Sequence, residues 1–116
     1  MSFYSSYYVE TLKHVNALSN IYRDYDFVDA LTDLMTYKGN DIDAFSNIKN
    51  DCLTKRNKYI NNVKSALEDT TLSSGCELLL EEFSAVSLYC ISSLSEKFYN
   101  KINKEKEGVL NESNFD

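Results

Sequence analysis

Apolar residues recur along most of this chain at spacings of three and four, which is the period of one face of an α-helix. The pattern is densest over Ser74–Asn103, and the rest of the chain is organised around this stretch. Leu78, Leu88 and Tyr89 widen its apolar stripe beyond what a surface helix needs, so we expect other helices to pack around it. Its inward positions are predicted to be Cys76, Leu79, Leu80, Phe83, Val86, Cys90, Leu94, Phe98 and Ile102.

The same period continues upstream and predicts an all-α antiparallel helical bundle of about four helices, with a long central C-terminal helix. Gly39 stands where a glycine commonly ends a helix, and Asp41 stands where it would cap the third helix. The polar run Thr54–Lys58 interrupts the apolar pattern of that helix, and we favour one continuous helix over two. The four helices are predicted at 2–22, 27–38, 42–69 and 74–104.

The helix lengths leave two arrangements open. The third and fourth helices would each span about 40–45 Å, and the first two together would span about the same length. The chain is therefore either an up-down four-helix bundle with a short second helix, or a bundle of three rods whose first rod is bent at Asp24–Asp26. In both cases we predict a single helical domain over 1–104 and a polar, frayed tail over 105–116.

Composition narrows the classes of partner. The 116 residues include no proline and only three glycines, which suits long helices, and the net charge is −6 with a pI of about 4.7. This charge argues against nucleic acid or an anionic membrane as the partner and is compatible with a basic protein. No run approaches the length of a membrane span. The N-terminus lacks a secretory pattern and the three cysteines form no CxxC pair, so we expect a cytoplasmic protein.

The residues that commonly carry chemistry do not form a recognisable site. Cys76 and Cys90 would lie about 21 Å apart on one helix, so they cannot share a zinc ion with Cys52 and His14. Calcium loops starting at Asp24 or Asp41 fail because the required glycine and glutamate are missing. With one histidine, a di-iron bundle is excluded. The sequence therefore predicts no catalytic, metal or cofactor site and no enzyme activity, with the cysteines serving as buried thiols.

What remains is an electrostatic pattern. Six aspartates and one lysine between Asp24 and Asp43 give this segment a local charge of −5, with tyrosines among them. A solvated surface with uneven charge is the plain interpretation. The functional interpretation is an acidic face that steers a basic partner, with tyrosines as anchors. The predicted partner-binding residues are Tyr22, Asp24, Tyr25, Asp26, Asp29, Asp33, Tyr37, Asp41 and Asp43.

In general character the chain resembles bacterial toxin-immunity proteins, the small inhibitors of contact-dependent growth inhibition toxins and nuclease bacteriocins. The resemblance lies in size, acidity and helical content and involves no shared motif. It implies tight binding to a cognate basic toxin (nuclease) domain, with acidic residues taking the place of nucleic-acid phosphates. The alternative is a helical adaptor or oligomeric assembly subunit without a toxin partner. Monomer and homodimer both remain open.

Overall fold

The computed structural model describes residues 3–69 and 73–114, and it consists there of four helices without a strand. The predicted all-α helical bundle is confirmed. Side chains are described for residues 6–69 and 75–107. The helices are α1 (Phe3–Leu18), α2 (Asp26–Thr36), α3 (Ile42–Glu68) and α4 (Ser73–Asn114).

The chain reverses direction between α1 and α2, so the arrangement is the up-down four-helix bundle and not three rods. Leu18 O accepts from the backbone N–H of Ile21 at 2.9 Å and of Tyr22 at 3.0 Å, which closes a turn. Beyond the turn, α2 runs back beside α1, and the Tyr8 hydroxyl lies 3.1 Å from Thr32 Oγ1. The second predicted arrangement, a bent first rod, is wrong.

Helix α4 contacts each of the other three helices. Helix α1 runs antiparallel to it, since His14 meets Glu82 and Tyr7 meets Tyr89. Helix α1 packs mainly on α4 and α2 mainly on α3, while α1 and α2 have few direct contacts. The long helix is central in these contacts but not enclosed. Leu78, Leu88 and Tyr89 on this helix are exposed, and Tyr89 borders α1.

Aromatic side chains fill much of the core. Phe83 of α4 lies 5.6 Å from Phe27 of α2 and 4.9 Å from Tyr59 of α3, measured between ring centroids. At the other end of the bundle Phe45 stacks on Phe98 at 4.0 Å. These rings come from positions at helical spacing, and burying each of them stabilises the fold by about 1.5–3 kcal/mol.

Three predicted helix ends are wrong. Helix α1 stops at Leu18, not at 22, because the turn begins there. Helix α2 stops at Thr36, and Gly39 lies beyond it with no positive φ, so it is not the helix cap we predicted. The glycine serves a close approach instead, since a Cβ there would meet the Tyr37 hydroxyl at 2.5 Å.

Helix α4 continues ten residues past the predicted end at 104 and reaches Asn114. Periodic apolar residues marked the predicted end, and Ile102 is indeed the last buried position in the part of α4 with described side chains. Lysine and glutamate are good helix formers, however, and they continue a helix without burying anything. The division into a domain over 1–104 and a tail over 105–116 stays a prediction.

Candidate protein-binding surface

Three exposed carboxylates follow one another along α2. Asp26, Asp29 and Asp33 lie on its solvent side over about 10 Å, and we call them the acidic ridge. Within the described residues none of the three carboxylates forms an ion pair. The helix dipole accounts for Asp26 and Asp29 in the first turn, whereas Asp33 lies beyond its reach. The ridge is therefore more acidic than capping of α2 requires.

Two of the predicted binding residues instead hold the turn before α2. Asp24 Oδ2 accepts from the Tyr22 hydroxyl at 3.2 Å, and its Oδ1 accepts from the backbone N–H of Asp26 at 2.9 Å. Asn62 of α3 donates to the Tyr22 hydroxyl at 2.9 Å. Partial burial raises the pKa of Tyr22. The side chains of Tyr22 and Asp24 are half-buried, so they stabilise the turn before α2 and offer little surface to a partner.

Three more predicted residues lie at the far end of α2. The Tyr37 hydroxyl donates to Asp41 O and accepts from Asp41 N, both at 3.2 Å. Asp41 caps α3 as predicted, because Oδ1 accepts from Asp43 N and Ala44 N at 2.9 and 3.1 Å. Asp43 is exposed in the first turn of α3. The nine predicted residues thus form three groups. Tyr25 and the acidic ridge form an exposed central surface. Tyr22 with Asp24, and Tyr37 with Asp41 and Asp43, flank it and have local structural roles.

An apolar groove lies on the α1 side of α2, and the sequence did not reveal it. It lies between α1 and α2, encloses about 350 Å³ and is open to solvent where these helices have few contacts. We call it the α1–α2 groove. Tyr25 at its edge is 49% exposed and Val9 is 37% exposed. Its apolar lining consists of Val9, Leu12, Val15, Tyr25 and Val28.

Arg56 is the residue in the polar run Thr54–Lys58 that the sequence interpretation missed. Helix α3 is continuous through this run, as we favoured. Arg56 takes the inward position that an apolar residue would otherwise occupy there, and its exposed fraction is only 8%. Its Nε donates to Ser87 Oγ at 2.8 Å and its Nη2 to Ser84 O at 2.7 Å. No carboxylate lies within ion-pairing distance of it in the described chain. The guanidinium is thus held by hydroxyl and carbonyl oxygens of α3 and α4.

The cysteines and the histidine occupy structural positions. Cys52 and Cys90 are buried as predicted, while Cys76 is half-buried. His14 lies at the boundary of α1 and α4, with Nδ1 2.7 Å from Glu10 O and Nε2 3.1 Å from Glu82 Oε2. Over residues 3–69 and 73–114 no three or more Cys, His, Asp and Glu side chains gather as they would around a metal ion.

We expect stability to fall as the pH rises above about 9. Burial raises the pKa of Cys52 from its ordinary 9.0 to about 12, that of Cys90 to about 11, and that of Tyr59 from 10.0 to about 12. At a pH between the ordinary pKa and the raised pKa of each group, the unfolded chain loses a proton that the folded chain retains. The stabilisation is therefore complete below pH 9 and is lost towards pH 12.

Urea midpoints between pH 8 and 11 measure this effect. The double variant Cys52→Ala/Cys90→Ala is the control. It should start from a lower midpoint, because it leaves cavities, and then show little change until about pH 10. An equal decline of both proteins between pH 9 and 10 would contradict the role of the thiols.

Helix α4 also bears on the membrane prediction. By length and composition alone, Gly75–Glu107 is long and apolar enough to cross a membrane, so the prediction that no run approaches a span is wrong by this measure. The same helix places Phe83, Cys90 and Phe98 in the bundle core. A core helix passes the same test, so this finding is weak evidence for a membrane location.

Together the fold and this surface define a class, an all-α four-helix bundle whose short second helix carries an acidic ridge. Comparison with protein-family models, with curated proteins and with solved structures gives no significant match. The class therefore rests on the fold and the surface alone.

Proposed function

We propose that this chain is a non-catalytic binding protein, and specifically a cytoplasmic immunity protein that neutralises a cognate basic toxin (nuclease) domain. The observation that supports this proposal is the acidic ridge. Its three carboxylates are exposed and carry no ion pair within the described chain, and the exposed Tyr25 lies beside them. A patch of unpaired charge attracts a partner of opposite sign and speeds association, and tyrosine is a favoured anchor at interfaces.

Co-expression with the proposed partner tests this function. An immunity gene is expected next to its toxin gene, so the probe is the basic C-terminal domain encoded by the upstream neighbour. We expect the two proteins to copurify and the chain to protect cells from that domain. A neighbour without such a domain, or a domain that neither copurifies nor loses its toxicity, would overturn the proposal.

Charge reversal on the ridge should weaken this complex. We expect the triple variant Asp26→Lys/Asp29→Lys/Asp33→Lys to raise Kd at least about tenfold, mainly because close charge pairs are lost and a repulsive surface replaces them. Calorimetric titration at two salt concentrations measures this change, and circular dichroism checks that α2 is intact. The milder asparagine variants at the same positions keep the test valid if the lysines unfold α2.

The matched control reverses three exposed glutamates on α4. Glu81→Lys/Glu96→Lys/Glu107→Lys changes the net charge from −6 to 0, which is the same change that the ridge variant makes. It should alter Kd less than threefold, because these residues are on α4 and line no pocket with α2. If both triple variants weaken binding equally, the effect comes from overall charge and the ridge is not the contact.

A second candidate function, an adaptor or assembly subunit, is favoured by the outer side of α4. Leu78, Leu88 and Tyr89 of this helix are 57%, 45% and 59% exposed. Exposed apolar side chains of this size often mark contacts between proteins. Light scattering distinguishes the candidates. A dimer at about 10 µM that Leu88→Lys dissociates would favour the assembly subunit, whereas a monomer would leave the immunity proposal as the better one.

A further inference from the structure

We infer that a cavity at the C-terminal end of α2 binds a small aromatic molecule that carries one anionic group. The cavity lies between the end of α2, the start of α3 and the second half of α4, and it encloses about 500 Å³. We call it the lysine-lined cavity, after Lys97, Lys101 and Lys104. The inference goes beyond the proposed function, because no residue of the acidic ridge lines this cavity.

Aromatic and aliphatic side chains form the apolar part of the lining. The rings of Phe45 and Phe98 stack at 4.0 Å between centroids, and the Tyr37 ring lies 6.1 Å from the first and 6.0 Å from the second. Leu34 and Leu94 adjoin these rings in the same lining. Aromatic groups in offset or edge contact with one another gain more than their buried area alone provides. An occupant with a ring system is therefore complementary to this part of the cavity.

The cationic part of the lining comes from one face of α4. Lys97, Lys101 and Lys104 follow one another at spacings of four and three residues, so they lie along one side of the helix over about 10 Å. Against these three lysines the lining contains one carboxylate, Glu105, which leaves a local charge of +2 in a chain with a net charge of −6. An anionic group is the complement of this charge.

Structural roles account for Lys101 but not for Lys104. Lys101 Nζ donates to Lys38 O and to Gly39 O, both at 3.1 Å, and so holds the turn after α2. Lys104 is exposed and forms no ion pair within the described part of the chain. The dipole of α4 does not explain it, because this effect is confined to the last turn and the helix continues for ten residues to Asn114.

The size of the cavity and the charge of the whole chain favour a small molecule over a macromolecule. Its volume of about 500 Å³ lies within the roughly 300–1,000 Å³ typical of small-molecule sites, which combine an apolar lining with a few polar groups. An acidic protein or a nucleic acid would be repelled by the net charge of −6 over a wide surface. A small molecule with one negative charge meets mainly the lysines beside it.

Titration of the full-length protein with 2-naphthoate tests the inference. NMR shift mapping on the labelled protein locates the contact, and we expect shifts at residues 34–37 and 94–105. A ligand of this size should bind with a Kd of about 1 mM or below. The neutral 2-naphthalenemethanol should bind at least about fivefold more weakly, because it lacks the charge. Acetate, which lacks the ring system, should cause no shifts there at about 10 mM.

Variants of the protein separate the charge from the apolar lining. Lys104→Glu should weaken naphthoate binding at least about fivefold and leave the alcohol within about twofold. Lys64→Glu is the matched control, since Lys64 is an exposed lysine of α3 outside this lining, and it should leave both ligands within about twofold. Met35→Gln makes a half-buried part of the lining polar and should weaken both ligands at least about threefold. Circular dichroism confirms that each variant is folded.

Four outcomes would overturn the inference. They are shifts centred outside the lysine-lined cavity, equal affinity for the naphthoate and the alcohol, equal weakening by the two charge reversals, and no binding up to about 10 mM naphthoate. The proposed function is tested separately by copurification with the toxin domain, and its failure would leave these titrations unchanged.

Discussion

Replacing Phe83 by alanine should reduce the free energy of unfolding by about 3–5 kcal/mol. The Phe83 ring is fully buried and contacts Phe27 of α2 and Tyr59 of α3, so it joins three of the four helices. The deletion leaves a cavity that neighbours on three separate helices cannot easily fill. For a domain with a total stability of about 5–15 kcal/mol, this is a large fraction.

Urea unfolding followed by circular dichroism measures the loss. Leu88→Ala is the matched control, because it removes an apolar side chain from the same helix at an exposed position. We expect the control to change stability by less than about 0.5 kcal/mol. Equal losses in the two variants would mean that the inner and outer sides of α4 are assigned wrongly.

The second large effect should come from the buried Arg56. Arg56→Ala removes both the charge and the packed stem of the side chain, and we expect a loss of about 2–4 kcal/mol. Arg56→Met retains most of the stem and removes the need for polar partners, so we expect it to stay within about 1 kcal/mol of the original protein. The difference between these variants separates packing from charge.

Ser87 completes the test as a double-mutant cycle. Ser87→Ala leaves a buried guanidinium N–H without its acceptor and should cost about 1.5–3 kcal/mol. In the Arg56→Met background the same change should cost less than about 0.5 kcal/mol, because no cation remains to be satisfied. Equal costs in both backgrounds would show that the hydrogen bond between Nε and Ser87 Oγ contributes nothing.

Arg56 also explains why the apolar pattern of α3 is incomplete. Its apolar positions run from Cys52 to Tyr59 and Val63 with a gap at residue 56, and a gap of this kind resembles an exposed turn. The residues that accept hydrogen bonds from Arg56 lie on α4, where Ser84 and Ser87 interrupt the most apolar stretch of the chain. A polar residue in each of two apolar stripes indicates a buried pair only when the helices are known to face each other.

The predicted binding residues divide for a similar reason. Helical spacing correctly placed Asp26, Asp29 and Asp33 together on the solvent side of α2, since this relation lies within one helix. Tyr22 and Asp24 are half-buried in the structure. Their burial depends on tertiary contacts such as the hydrogen bond from Asn62 of α3 to the Tyr22 hydroxyl, which the spacing along one helix does not show. Whether these residues bind a partner stays a prediction.

The sequence by itself determined the four helices, most of their inward positions and the acidity of α2, because these depend on spacing along one helix and on local charge. The tertiary structure decided the reversal after Leu18, the burial of Arg56 and the α1–α2 groove. The sequence shows which residues stand at positions 9 and 25, but it does not show that the side chains of Val9 and Tyr25 lie near each other. They line a groove because α1 packs on α4 and α2 on α3, and a distance between two helices is set by packing and not by the period of either one.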